Sequence, residues 1–368
     1  MWTKRLILAA VTAALLPLSG GALPASASRL AGTRPPDPLA AEIERWAAVL
    51  EKSTGADEIS ADARKNGGPA LERARQALRE GRRLLALQRL GSARMQIEAA
   101  EYLEKRTAGQ RKDVTLFEAE WKRVGRSIQA DLSAPSPDRF ASVRSAAIRA
   151  IAESTFGQVR PHYEASLDYG RSTTPDSGLI YLGTALSQRE FAEFCRTLSP
   201  ERAAHAPRMR SLAPELDRFE ARLLAAYRPP ASIDRHTDFI ISSASLKDAR
   251  ELDAAGLRYG ALLRYLQAAQ RFGTLGPPET DLAALKTRLA EIQSALAASA
   301  SDESVGRLFV EAAQADLSTE GSTGVAASAI VRDVLPLYTA ALGPPPPVAA
   351  RPGPEATVTV TLVRWPYT

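Results

Sequence analysis

The most reactive run in the chain is Ile233-Asp234-Arg235-His236-Thr237-Asp238. An aspartate two residues from a histidine can orient the imidazole and raise its basicity, which is the chemistry of a general base. The same residue types also cap helices, because Asp and Thr side chains accept hydrogen bonds from the free N–H groups at a helix start. The run follows Pro229-Pro230 and precedes Phe239-Ile240-Ile241, which predicts a loop between helices and favours the capping reading. An enzyme using the Asp234–His236 loop stands as one alternative. Ser243 and Ser245 lie near Lys247, but Ala244 occupies the position three before the lysine, so the SxxK spacing of a Ser–Lys nucleophile is not met.

The remaining candidates are scattered. His162 and His205 each stand without a second His or Cys at ligand spacing on one helix face, so no metal site and no cofactor is expected. Cys195 is the single cysteine, set in the helical apolar pattern Phe191-Ala192-Glu193-Phe194-Cys195, which predicts a buried inert thiol. HExxH, GxxxxGK, GxGxxG, GxSxG and Asp-rich calcium loops do not occur in the sequence. No catalytic residue is therefore assigned.

What must position any site is a set of helices. After a short Pro-rich lead, Arg34 to Pro38, apolar residues recur every three to four positions as far as Leu342. Leu39, Ile43, Trp46, Ala47 and Leu50 line the first stripe. Lys65-Asn66-Gly67-Gly68-Pro69 reads as a break, followed by helical blocks from Ala70 to Arg82 and Leu84 to Thr107. Further helices are predicted over Asp113–Leu132, from about Ser136 or Asp138, over Gly178–Leu198, Ala213–Tyr227, within Ser242–Phe272, over Thr280–Ala298, from Ser301 or Asp302 to Leu317, and over Val325–Leu342 with a bend at Pro336. Helices of this length with short breaks read as consecutive antiparallel hairpins, in an open array or a closed bundle. The predicted fold class is all-α with a short C-terminal β-strand.

Both chain ends differ from this pattern. Lys4 and Arg5, the apolar run Leu6–Leu18 and Ala25-Ser26-Ala27 follow the plan of a cleaved export signal, so residues 1–27 are expected to be a signal peptide and the mature protein periplasmic or secreted. No later segment reads as apolar for long enough to span a bilayer. The expected organisation is an N-terminal helical domain over 28–228, a C-terminal helical domain over 231–342, a Pro-rich linker over 343–356 and a strand over 357–368. In that strand Val358, Val360 and Leu362 alternate with threonines and need a pairing partner for their backbone groups. The net charge of +5 falls by two once Lys4 and Arg5 are removed, and it is spread along the chain, which argues against nucleic-acid binding. The arginines around Arg79 to Arg94 are interleaved with acids and leucines, as on a half-packed, half-solvated face.

Two stretches, Leu179-Ile180-Tyr181-Leu182-Gly183-Thr184-Ala185 and Leu257-Arg258-Tyr259-Gly260-Ala261-Leu262-Leu263-Arg264-Tyr265-Leu266, each place a glycine after an aromatic or Leu within a helix. They resemble the first helix of tetratricopeptide-type repeats, in which that glycine admits a neighbouring helix. After the first stretch, Cys195 fits the small position and Pro207 the closing proline, while Ser199 stands where a large aromatic is usual. In the second, Tyr259 replaces the Leu and Phe272 the small residue. No 34-residue period runs through the chain. The resemblance implies a concave surface for protein or peptide ligands, with Tyr181, Tyr259 and Tyr265 as binding candidates. The leading expectation is thus an exported, non-enzymatic scaffold or adaptor for another envelope or secreted protein, engaged in part through Val358, Val360 and Leu362. The alternative is a binding protein holding a small or polymeric ligand between helix pairs, near Tyr163, Tyr169 and Tyr181.

Overall fold

The computed structural model describes residues 37–52, 58–133, 138–198, 208–229, 233–275, 281–298 and 304–343. The export-signal reading and the strand carrying Val358, Val360 and Leu362 fall outside the described residues. Within them every regular element is a helix. In order these are α1 (Pro38–Lys52), α2 (Glu58–Arg79), α3 (Arg83–Glu104), the short α4 (Ala108–Lys112), α5 (Val114–Ser127), α6 (Gln129–Leu132), α7 (Ala146–Phe156), α8 (Val159–Ser172) and α9 (Pro175–Thr197). They continue with α10 (Ala213–Ala226), a 3-10 turn (Ile233–Arg235), α11 (His236–Ala254), α12 (Arg258–Gly273), α13 (Leu282–Ala298), α14 (Val305–Ser318), α15 (Val325–Ala329), a π turn (Ile330–Val334) and α16 (Leu335–Leu342).

Sequential helices form antiparallel hairpins, α2 with α3, α8 with α9 and α11 with α12. The hairpins then close on one another: α3 lies against α9, and α7 against both α9 and α12. One apolar core results, running from Leu39 to Ala341, so helices on both sides of residues 229–230 contribute to it. The glycines of the two resembling stretches are both points of close helix approach. A Cβ on Gly183 would lie 3.1 Å from Ala99 Cα of α3, and one on Gly260 would lie 2.7 Å from the backbone N of Ser154 in α7.

The α2–α3 and α11–α12 hairpins are built alike, 175 positions apart. Gly81 and Gly256 end the first helix of each pair at φ +76° and +78°, a left-handed conformation that glycine adopts without penalty. Arg82 N donates to Ala77 O at 2.8 Å and Leu257 N to Leu252 O at 2.9 Å, the same chain reversal made twice. Buried positions coincide: Leu71 with Leu246, Ala74 with Ala249, Leu87 with Leu262, Leu90 with Tyr265. Neither α3 nor α12 carries a side-chain cap of its own. Each is capped by a glutamate from the other half of the chain. Glu311 of α14 accepts from Leu85 N at 2.9 Å, and Glu153 of α7 accepts from Gly260 N at 2.9 Å. The open N–H groups and the positive end of the helix dipole both favour a carboxylate there. Arg149 and Arg307, one turn before each glutamate, balance its charge at 2.6 Å and 3.4 Å.

Several boundaries correct the sequence reading. Lys65–Pro69 lies inside α2 rather than breaking it, because burial of Ala70, Leu71, Ala74 and Ala77 against α3 overrides the local cost of Gly-Gly-Pro. Asp113–Leu132 is interrupted at Ile128. Phe140 and Val143 are buried from a turn, and the helix after them starts at Ala146, capped by the Ser145 hydroxyl, which accepts from Ile148 N at 3.2 Å. Ser304, rather than Ser301 or Asp302, caps α14. Finally, Val325–Leu342 is 18 residues long with a mean hydropathy of 1.4, so by length and composition one described segment is long and apolar enough to cross a bilayer, although 56% of it is buried inside the protein.

Candidate functional site

Around residues 233–238 the chain forms a 3-10 turn and the first turn of α11 instead of an open loop. His236 Nδ1 lies 2.6 Å from the Tyr227 hydroxyl, and Asp238 forms an ion pair with Arg271 at 2.6 Å. No hydrogen bond joins Asp234 to His236 among the described residues; His236 is engaged by Tyr227 and Asp238 by Arg271. Tyr227 also stacks on Phe239, ring centroids 4.2 Å apart.

These aromatics form one wall of an open groove of about 410 Å³ between α10, the start of α11, the end of α12 and the π turn. Its lining includes Arg222, Tyr227, Arg235, Phe272, Arg332 and Asp333. Each is placed for a local reason. The π turn widens the last helix by one residue and turns Arg332 and Asp333 together toward the groove. Asp333 accepts from Arg332 Nε at 2.9 Å and from Arg222 Nη2 at 3.1 Å. Arg332 Nη2 donates to Gly273 O at 2.7 Å, satisfying a carbonyl that the end of α12 leaves open. The Arg222 guanidinium sits 5.0 Å from the Phe272 ring centroid. Arg235 is exposed at the mouth and forms no ion pair among the described residues. The groove thus carries three guanidiniums against one carboxylate, with stacked rings beside them. Guanidiniums do not exchange protons near neutral pH, so the chemistry these groups can offer is the binding and orienting of anions.

The other binding candidates lie apart from it. Tyr181 stacks on Tyr169, centroids 4.4 Å apart and rings within 5° of parallel, with His162 next in the column at 5.9 Å. Burial holds His162 below the usual imidazole range, and its Nδ1 contacts Gln158 O at 2.8 Å. Tyr163, by contrast, turns away to stack on Trp121 at 4.8 Å. Tyr259 is buried, with the Arg149 guanidinium 5.3 Å from its ring centroid, and Tyr265 is buried edge-on to Phe219. Cys195 is fully buried, and burial pushes its thiol far above the usual range, leaving it inert as a nucleophile. No group of three metal-ligating side chains forms among the described residues.

Sequence reasoning missed a buried charge cluster. Arg94, only 2% exposed, pairs with Glu42 and Glu98 at 3.1 Å each and with Glu190 at 3.7 Å. Its guanidinium lies between Trp46 and Phe191, 4.9 and 5.7 Å from their ring centroids. Burial, reinforced by the neighbouring Glu190, outweighs Arg94 and pushes Glu98 up to about 7. The folded protein therefore holds a proton there that the unfolded chain, with its carboxyl near 4.5, releases. Stability should fall as pH rises from about 5 to 8. Urea denaturation of Glu98→Gln across that range should show a flatter pH dependence than the parent, and an unchanged slope would refute the assignment.

No family model, curated protein or solved structure matches this chain.

Proposed function

We propose that this protein is an exported, non-catalytic helical adaptor that holds an acidic segment of another envelope or secreted protein in the arginine-lined groove. The carrying observation is the arrangement in that groove: Arg222 and Arg332 fixed by Asp333, Arg235 at the mouth with no ion pair among the described residues, and the Tyr227–Phe239 stack alongside. Fixed guanidiniums recognise carboxylates with little ordering cost, and the rings offer an apolar surface to the side chains between the acids. In this reading the hairpins pack in the tetratricopeptide style, and the segment with Val358, Val360 and Leu362 adds a strand to the same partner or to another copy of this chain.

Arg235 is the residue to test, because it is exposed and its replacement leaves the core intact. Arg235→Glu should keep the parental melting temperature and lose the partner recovered with the parent protein from its native envelope, an affinity loss of at least tenfold. Deleting residues 344–368 should weaken the same complex. Equal recovery of the partner with Arg235→Glu would remove the groove from the interaction. The volume of the groove is also within the range of small-molecule sites. A native mass spectrum carrying a small anion in place of a polypeptide would favour that occupant.

A further inference from the structure

The two like-built hairpins differ at one pair of facing positions. In the second hairpin Arg264 of α12 faces Asp248 of α11 at 4.0 Å. The matching positions in the first hairpin are Arg89 and Arg73. Where one copy places a carboxylate opposite its arginine, the other places a second arginine. Arg89 Nη1 donates to the Arg73 backbone carbonyl at 3.0 Å, so the two residues lie together. The Nε atoms of both are buried and have no hydrogen-bond partner. Arg264 leaves its Nε unfilled too, but with Asp248 beside it.

Arg82, at the turn of the same hairpin, adds a third cation and is anchored by Gln314 O at 3.4 Å and Ser318 Oγ at 3.0 Å of α14. Glu80 is the acid beside this group, and its carboxylate is engaged by Arg82. Neither Arg73 nor Arg89 forms an ion pair among the described residues. Burial, then the charges of Arg73 and Arg82, pull Arg89 down to about 10, so the group is electrostatically strained as it stands. An anion bound by both guanidiniums would relieve both the repulsion and the unfilled Nε donors.

We propose that Arg73 and Arg89, flanked by Arg82, form a binding site for a phosphate group. Two guanidiniums offer more donors than one carboxylate can fill, and their planar forks match the oxygens of a phosphate. The phosphate belongs either to free inorganic phosphate or to a phosphate monoester headgroup on a lipid. This site is on the α2–α3 hairpin, separate from the groove, and it stands whether or not the groove binds a partner.

The test uses the full-length protein and inorganic phosphate, with chloride at equal ionic strength as the control. Calorimetry should show saturable binding, and phosphate should raise the melting temperature above the chloride control. Arg73→Asp recreates the Arg264–Asp248 pairing, so it should fold at least as well as the parent and lose the phosphate response. Arg89→Gln should weaken phosphate at least tenfold, and Arg235→Glu should leave it unchanged. Phosphatidylcholine vesicles with and without phosphatidic acid separate the two sources. Retention on phosphatidic acid vesicles that Arg73→Asp abolishes assigns a lipid headgroup, and phosphate-only binding assigns the free ion. The proposal is overturned if the parent protein responds to neither probe beyond the chloride control, or if Arg73→Asp responds as the parent does.

Discussion

Glu153→Ala should destabilise the protein by about 3–5 kcal/mol, among the largest losses available to a single substitution here. Its carboxylate is fully buried and has two tasks. It closes the N-terminus of α12 through Gly260 N, and it neutralises Arg149 at 2.6 Å. Alanine removes both, leaving an open helix end in the core and an arginine that has lost the Glu153 carboxylate, which is why the cost exceeds that of an ordinary cap near 1 kcal/mol. Glu153→Gln keeps the acceptor and the volume but not the charge, so it should lose less. Burial raises the pKa of Glu153 against the pull of Arg149 and the backbone donors, which limits what its charge contributes and makes the acceptor the larger share. Glu311→Ala should behave alike at α3, where burial also raises the carboxyl. Chemical denaturation of the four proteins, including Glu311→Gln, would check the order, and a loss below 1 kcal/mol for both alanine variants would refute it.

Gly178→Val should cost on the order of 3 kcal/mol for a different reason. A Cβ at Gly178 would lie 2.6 Å from Ser166 O, 2.7 Å from Gly170 Cα and 2.6 Å from Phe117 Cζ. Two of these neighbours are backbone, so α8 and α9 would have to separate along their shared face. Phe117, Leu103 and Leu179 form a small apolar cluster there and would lose contact together. The effect should be seen as a lower melting temperature and earlier proteolysis between α8 and α9. A variant melting within a degree or two of the parent would show that these helices can shift apart at little cost.

Much of this architecture can be read from the spacing of apolar residues. The stripe Leu39, Ile43, Trp46 predicts α1 and the face it buries, and Asp281 accepts from the N–H groups of Ala283 and Ala284 as a predicted cap should. Failures came where a distant contact decides a local matter. Pro69 sits inside α2 because α3 covers its following residues. The caps of α3 and α12 are invisible in sequence because Glu311 and Glu153 lie more than a hundred positions away. The groove was only half legible. The sequence shows Asp234 to Asp238 as polar and reactive, but Arg222, Phe272, Arg332 and Asp333 reach the same place from three other elements. The sequence shows Arg94 as one charge among many on a half-packed face, and only the fold places Trp46 and Phe191 on either side of it.

The exchange of glutamates between the halves also bears on the order in which the chain is made. Glu311, which closes the first turn of α3, lies 226 positions beyond Leu85, so it is not yet made when that helix leaves the ribosome. The early hairpin must wait, its first turn unfinished, until Glu311 arrives. Consolidation of this early hairpin is thereby tied to residues made much later, and a product that stops before Glu311 would lack the cap of α3.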